Sequence, residues 1–155
     1  MRITAKVDYA VRACVELAHR YALDSREPTT AEKLGAHQNI PKKYLENILT
    51  ELRKAKIVSS QRGPIGGYWL TRDPSTITVA DVIRAVEGPL ADVRGVAPEE
   101  LQYEGAAVAL ERVWIATRAS LRSVLEGVSL ADIATGSLPE SLEALLQSPG
   151  AWERR

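Results

Sequence analysis

Lys42, Lys43 and Tyr44 follow Pro41 and open a stretch whose apolar residues recur at helical spacing. At a helix N-terminus the free backbone N–H groups and the positive end of the dipole favour anions, so two lysines there suit phosphate. First-turn side chains of such a helix meet base edges when the helix end enters a major groove. A second group is Arg62-Gly63-Pro64-Ile65-Gly66-Gly67, a guanidinium among glycines that permit close backbone approach. That combination suits the narrow, strongly negative minor groove. The loop lacks the Gly-Lys-Ser/Thr ending that a Walker phosphate loop needs. For catalysis the chain offers one cysteine, Cys14, and two histidines, His19 and His37, far apart in sequence. No Ser/His/Asp or Cys/His set has supporting local spacing, and the adjacent Glu99 and Glu100 do not share a face. Neither a catalytic residue nor a metal or cofactor site is expected.

The elements that must position these groups belong to a chain of 155 residues, 45% hydrophobic and 26% charged, enough for one ordinary domain with an appendage. No apolar run approaches the roughly 18 residues of a membrane span, and the N-terminus carries a charge every few residues rather than a signal-peptide core. The expectation is a cytoplasmic protein without a membrane partner. The zero net charge conceals an asymmetry: residues 1–72 hold 13 Lys and Arg against 7 Asp and Glu, and residues 73–155 hold the reverse, 7 against 13. A +6 half beside a −6 half points the first towards a polyanion.

Ile3, Val7, Val11, Cys14, Ala18 and Tyr21 mark one amphipathic helix ending near Leu23. Asp24-Ser25-Arg26-Glu27-Pro28 reads as a loop. Thr29-Thr30 offers an N-cap, with Glu32 completing a capping box if Thr29 is the cap. A short helix to about His37 turns at Gln38-Asn39, asparagine tolerating the left-handed conformation. The next helix begins with Pro41 as its first residue and runs to about Ala55, with Leu45, Ile48, Leu49 and Leu52 on one face. Ile57-Val58-Ser59-Ser60-Gln61 and Tyr68-Trp69-Leu70-Thr71 read as strands around the glycine-rich loop. Helix-turn-helix followed by hairpin is a winged helix. Thr78 caps a further helix, Val79 to Glu87, with Asp81 at N3 and Gly88 at its end. Residues 90–104 form a loop. A long helix over residues 106–126 carries Leu110, Val113, Trp114, Thr117, Leu121 and Val124 on one face; Ser129 caps a short turn to Thr135, and residues 139–147 form a last helix. The fold class is mainly α with a small β-hairpin wing, divided as 1–88, 89–105, 106–135 and 136–155.

Four stretches carry a specific resemblance: Ile3-Thr4-Ala5-Lys6-Val7-Asp8-Tyr9-Ala10-Val11; Ile40-Pro41-Lys42-Lys43-Tyr44-Leu45-Glu46; the run from Leu52 through Arg62-Gly63-Pro64-Ile65-Gly66-Gly67-Tyr68; and Val82-Ile83-Arg84-Ala85-Val86-Glu87-Gly88. They resemble the Rrf-two family of bacterial winged-helix transcription regulators, closely over residues 1–88 and more loosely beyond. The resemblance implies a homodimer, paired through the long C-terminal helix, whose two recognition helices read a palindromic operator in double-stranded DNA. By motif position the candidate DNA contacts are Thr4, Lys6, Tyr9, Gln38, Asn39, Lys42, Lys43, Tyr44, Glu46, Asn47, Arg62 and Gly63. Some members of the family hold an iron–sulfur cluster on three cysteines between the helix ending in Ala-Val-Glu-Gly and the tryptophan of the dimer helix. Here that segment, residues 88–114, contains no Cys and no His, so the resemblance implies the cluster-free branch, governed by a partner enzyme or another signal.

The long-helix stripe has two readings, core of its own chain or dimer seam, and the resemblance favours the seam. Cys14 lies on an apolar stripe and reads as a buried, inert thiol. The combined expectation is a dimeric repressor, regulated by a partner enzyme or by a small-molecule effector bound between the wing domain and the dimer helix. The alternative is a protein-interaction module whose acidic half binds a metabolic enzyme and whose basic half recognises no specific DNA.

Overall fold

The structure, a computed structural model, describes residues 2–23 and 27–154. The loop expected over residues 24–28 therefore lies outside the described residues except for Glu27 and Pro28. The first helix, α1, spans Ala5–Ala22, and its N-cap is Thr4, whose hydroxyl accepts from the Val7 N–H. Its buried face is Val7, Ala10, Ala13, Cys14, Leu17 and Ala18, rotated from the expected stripe: Ile3 precedes the helix and is 77% exposed. The reason is that α1 is central, packed against by the other helices of the winged helix and by the second strand of its hairpin. Alanines let neighbouring backbones come close where larger side chains would hold them apart.

The second helix, α2 (Ala31–Gln38), is capped by Thr30 rather than Thr29, with Thr30 accepting from the Lys33 N–H. Thr29 is unavailable because its N–H and C=O are both bonded to Tyr68. Asn39 ends α2 at φ 51°, ψ 50°, the left-handed turn expected of it. The third helix, α3 (Lys42–Lys54), starts one residue later than expected, Pro41 serving as N-cap. Leu45, Ile48, Leu49 and Leu52 are at most 1% exposed, each worth about 1.5–3 kcal/mol of burial.

Strands β1 (Val58–Gln61) and β2 (Gly67–Leu70) pair antiparallel, Val58 opposite Leu70 and Gln61 opposite Gly67. Val58 and Leu70 anchor the hairpin in the core, and Tyr68 packs against it. Helix α4 (Val79–Glu87) carries the full capping box between Thr78 and Asp81.

Residues 89–109 form an ordered loop with two 3-10 turns, Pro98–Glu100 and Gly105–Ala107, and buried Leu90 and Leu101. The long helix α5 is Leu110–Leu125, shorter at its start than expected because Gly105, at φ 59°, opens a separate 3-10 turn there. Helix α6 (Leu130–Thr135), capped by Ser129, departs from the expected grouping with α5. It returns to the winged helix: the Leu130 N–H donates to the Ile77 carbonyl at 2.8 Å, and the Leu130 side chain, fully buried, joins the core beneath α1. Helix α7 is Glu140–Leu146. Among the described residues no helix is long and apolar enough to cross a membrane.

Candidate nucleic-acid interface

Because α3 buries one face completely, the opposite face is solvent-exposed from its first turn: Lys42, Lys43, Tyr44, Glu46 and Asn47 are all exposed. Lys42 and Glu46 stand one turn apart, and Arg53 lies two turns beyond Glu46 on the same side. The hairpin stands beside this face. A cleft of about 500 Å³ runs between the start of α2, α3 and the wing, and its lining includes Lys42, Glu46, Arg53, Arg62 and Gly63. The wing is braced onto α3 where Arg53 Nη1 donates to Ser60 Oγ at 3.2 Å. Lys42 has a loose ion pair with Glu32, 3.7 Å apart at the exposed surface.

Arg62 is exposed at the end of β1, and the loop after it holds its shape through glycine. Gly63 sits at φ 109° with open space around its Cα, and the Gly66 N–H donates to the Gly63 carbonyl at 3.0 Å. A Cβ on Gly66 would lie 2.3 Å from the Gln61 carbonyl oxygen, so only glycine closes this turn. Arg53 joins the lining of the cleft without being among the contacts that the sequence predicts. Its spacing of seven from Glu46 on an otherwise polar face was the signal that marks it.

The other sequence-predicted positions are engaged elsewhere. Thr4 caps α1 and its hydroxyl also bonds the Glu87 carboxylate. Lys6 donates to the Val86 carbonyl at 2.6 Å and pairs with Glu51 at 2.7 Å, tying α1 to α4 and α3. Tyr9 meets Tyr44 edge to face, ring centroids 5.7 Å apart, so it supports the first turn of α3. Gln38 Nε2 donates to Glu16 at 2.9 Å, and His37 Nδ1 lies 2.8 Å from the other oxygen of the same carboxylate. Partial burial pushes the Glu16 carboxyl up, but hydrogen bonds from His37 and Gln38 and the nearby charges of His37 and Arg20 outweigh this and hold it below its ordinary value. Cys14 is fully buried and its thiol is pushed up to about 12 by desolvation alone, which makes it a poor nucleophile at neutral pH.

The stripe assigned to a seam is not consumed by its own chain: α5 has no buried residue. Val113 is 52% exposed, Thr117 is exposed, and Leu110, Trp114, Leu121 and Val124 are half-buried. Trp114 Nε1 donates to the Tyr103 hydroxyl at 3.1 Å, and Arg118 pairs with Glu99 at 2.6 Å, so the loop is strapped to α5. A hollow of about 490 Å³ opens between Ile3, Ile83, Leu90, Leu121 and Leu125, in the region where the sequence reading puts an effector.

Residues 3–136 match the Rrf2 family, described as "Iron-dependent Transcriptional regulator". Rv1287 of Mycobacterium tuberculosis, named as an HTH-type transcriptional regulator, is 46% identical over 153 residues, covering 99% of this chain and 93% of that protein. CymR of Bacillus subtilis, also an HTH-type transcriptional regulator, is 33% identical over 135 residues, 87% of this chain and 91% of that one. The solved structure of B. subtilis CymR superposes with a TM-score of 0.72 at 31% identity, over 88% of this chain and 98% of that one. The T. potens IscR structure gives 0.69 at 28% identity, over 93% of this chain and 96% of that one.

The iron in the family description asks for thiolate, imidazole or carboxylate donors gathered at one point. The single cysteine is sealed in the core on the buried face of α1, and no three His, Cys, Asp or Glu side chains gather at one point among the described residues. These residues do not fit a thiolate-ligated iron–sulfur cluster. The exposed α3 face, the hairpin beside it and the match over residues 3–136 agree on one conclusion: the chain belongs to the Rrf2 family of winged-helix, DNA-binding transcriptional regulators.

Proposed function

We propose that the chain works in the cytoplasm as a homodimer that binds a palindromic operator in double-stranded DNA and represses transcription. It does so without an iron–sulfur cluster, under the control of a partner enzyme or a small-molecule effector. The observation that carries this reading is the cleft that gathers Lys42, Glu46, Arg53 and Arg62 between recognition helix and wing on the basic half of the chain. In the proposed complex α3 enters the major groove. Lys43, Tyr44, Glu46 and Asn47 face base edges, and Lys42 meets phosphate. Arg62 and Gly63 reach the adjoining minor groove, and Asn39 approaches the backbone from the turn. Thr4, Lys6 and Gln38 contribute by tying α1 to α4, α3 and α2 through polar groups that already have partners in the protein, and Tyr9 contributes through its ring contact with Tyr44.

A lone winged helix reads one half-site, and two half-sites about 34–36 Å apart require a two-fold partner. The exposed stripe of α5 supplies the surface for it, through Leu110, Val113, Trp114, Thr117, Leu121 and Val124. The test is a salt series of gel shifts on a duplex selected by this protein from a random-sequence pool, with the parent chain and Arg62→Ala. Affinity should fall steeply with salt, log affinity losing about 0.9 per decade of salt for each phosphate contact. Arg62→Ala should keep its circular dichroism and bind more weakly, most on A·T-rich flanks. Absence of any shift at low salt would favour instead an interaction module that docks on an enzyme.

A further inference from the structure

Between the last two turns of α1 and strand β2 lies a cavity of about 270 Å³ that the DNA reading does not use. Leu17 and Leu70 line it, 4% and 5% exposed, and so does the half-buried indole of Trp69. Two guanidinium groups, Arg20 and Arg72, open onto the same space. Arg20 Nε lies 3.6 Å from a Glu16 carboxylate oxygen, just beyond hydrogen-bond reach, and Arg72 Nη2 donates to Asp81 at 3.4 Å; each guanidinium carries five N–H donors and so retains others for a further acceptor.

Two buried side-chain polar atoms among the described residues have no hydrogen-bond partner, Arg20 Nε and Thr29 Oγ1. Both residues line this cavity. Thr29 is 1% exposed, the one buried polar residue among the described residues. Buried donors without acceptors are uncommon in folded proteins and carry a cost until a ligand or ordered water meets them. Both atoms sit in the wall of one hollow, onto which the part-exposed side chains of Arg20 and Arg72 open.

We propose that this cavity binds a small aromatic monocarboxylate that acts as the effector. The carboxylate meets Arg20 and Arg72, planar groups whose donor forks match its two oxygens. A flat ring lies against Trp69 between Leu17 and Leu70. Glu27 at the same cavity accepts from a ring hydroxyl and disfavours a second negative charge on the ligand. The volume is below the roughly 300–1,000 Å³ of sites for drug-sized ligands, which limits the ligand to about one ring.

The site adjoins the joint on which the wing hangs. Thr29 is bonded through its backbone to Tyr68 in both directions, and Trp69 is the next residue of β2. A ligand seated on Thr29 and Trp69 bears on the strand that carries the wing loop. This effector role rests on the proposed DNA reading, whereas binding at the cavity does not.

Calorimetric titration of the full chain with 4-hydroxybenzoate, without DNA, tests the site. Saturable binding at one ligand per chain is expected. It should weaken roughly ten- to hundredfold, the worth of a charge-assisted hydrogen bond, with neutral 4-hydroxybenzamide and with Arg20→Gln or Arg72→Gln. No saturation at millimolar ligand, or affinity unchanged in both folded arginine variants, would overturn the site. The same ligand should then change the affinity of the parent chain for its selected duplex. Binding that leaves DNA affinity unchanged would overturn the effector role, while failure to bind the duplex in the absence of ligand would count against the DNA reading alone.

Discussion

Thr29 and Tyr68 exchange two backbone hydrogen bonds, Thr29 N–H to Tyr68 O at 3.0 Å and Tyr68 N–H to Thr29 O at 2.8 Å. The residue just before the helix-turn-helix therefore acts as a third, one-residue strand beside β2. An isolated two-stranded hairpin is marginal in water. This bridge and the burial of Val58 and Leu70 hold the wing in place together with the Arg53–Ser60 bond to α3.

The bridge sets different demands on two glycines of the wing. A Cβ on Gly67 would lie 2.5–2.7 Å from Thr29 backbone atoms, whereas one on Gly63 meets open space and only the backbone strain of φ 109°. Gly67→Ala should cost about 1–3 kcal/mol from overpacking alone and loosen the wing. Gly63→Ala should cost less. Thermal melts followed by circular dichroism on both variants check the order; equal midpoints would mean that the bridge yields freely.

Glu46 is exposed on the α3 face, and its carboxylate is an acceptor suited to cytosine N4. Glu46→Ala should change the preferred base at one operator position by roughly 1–3 kcal/mol. Lys42→Ala should weaken all sequences alike and lower the salt slope by about one. Selection from a random pool with each variant distinguishes the two effects, and an unchanged consensus for Glu46→Ala would remove it from the readout.

Leu121 is half-buried on a helix with no buried residue, so a charge there has solvent to reach within one chain but not within a seam. Leu121→Glu should retain its helix content, sediment at half the parent mass and bind the operator far more weakly. An unfolded variant would identify the stripe as core, and an unchanged dimer would move the two-fold axis to another element.

Glu16 holds both His37 and Gln38 at the end of α2, with its carboxyl below the ordinary value of 4.5. A carboxyl depressed by folding contributes stability that is present above its unfolded pKa and is lost as pH falls through the folded one. Melting temperature should therefore fall as pH drops below about 4.5. Glu16→Gln, which cannot titrate, should show a shallower acid limb. Identical acid limbs would mean that the pair with His37 contributes nothing to stability.

Local signals were legible without the fold. The left-handed Asn39, the Thr78 and Asp81 capping box, the Ser129 cap and the apolar face of Leu45, Ile48, Leu49 and Leu52 all act within four residues or one helical period. The exposed lysines of the recognition helix follow from the same period, because burying one face leaves the opposite one in water. Tertiary structure alone decided which of two adjacent threonines caps α2, since that depends on Tyr68 claiming the Thr29 backbone. It decided that Lys6 reaches the Val86 carbonyl 80 residues away, and that α6 closes the winged-helix core through Leu130 while α5 is left with an open face. Spacing reports which residues share a face of one element. Which element that face meets depends on the path of the chain and on the backbone groups that distant segments leave unpaired, and no period along the sequence encodes that.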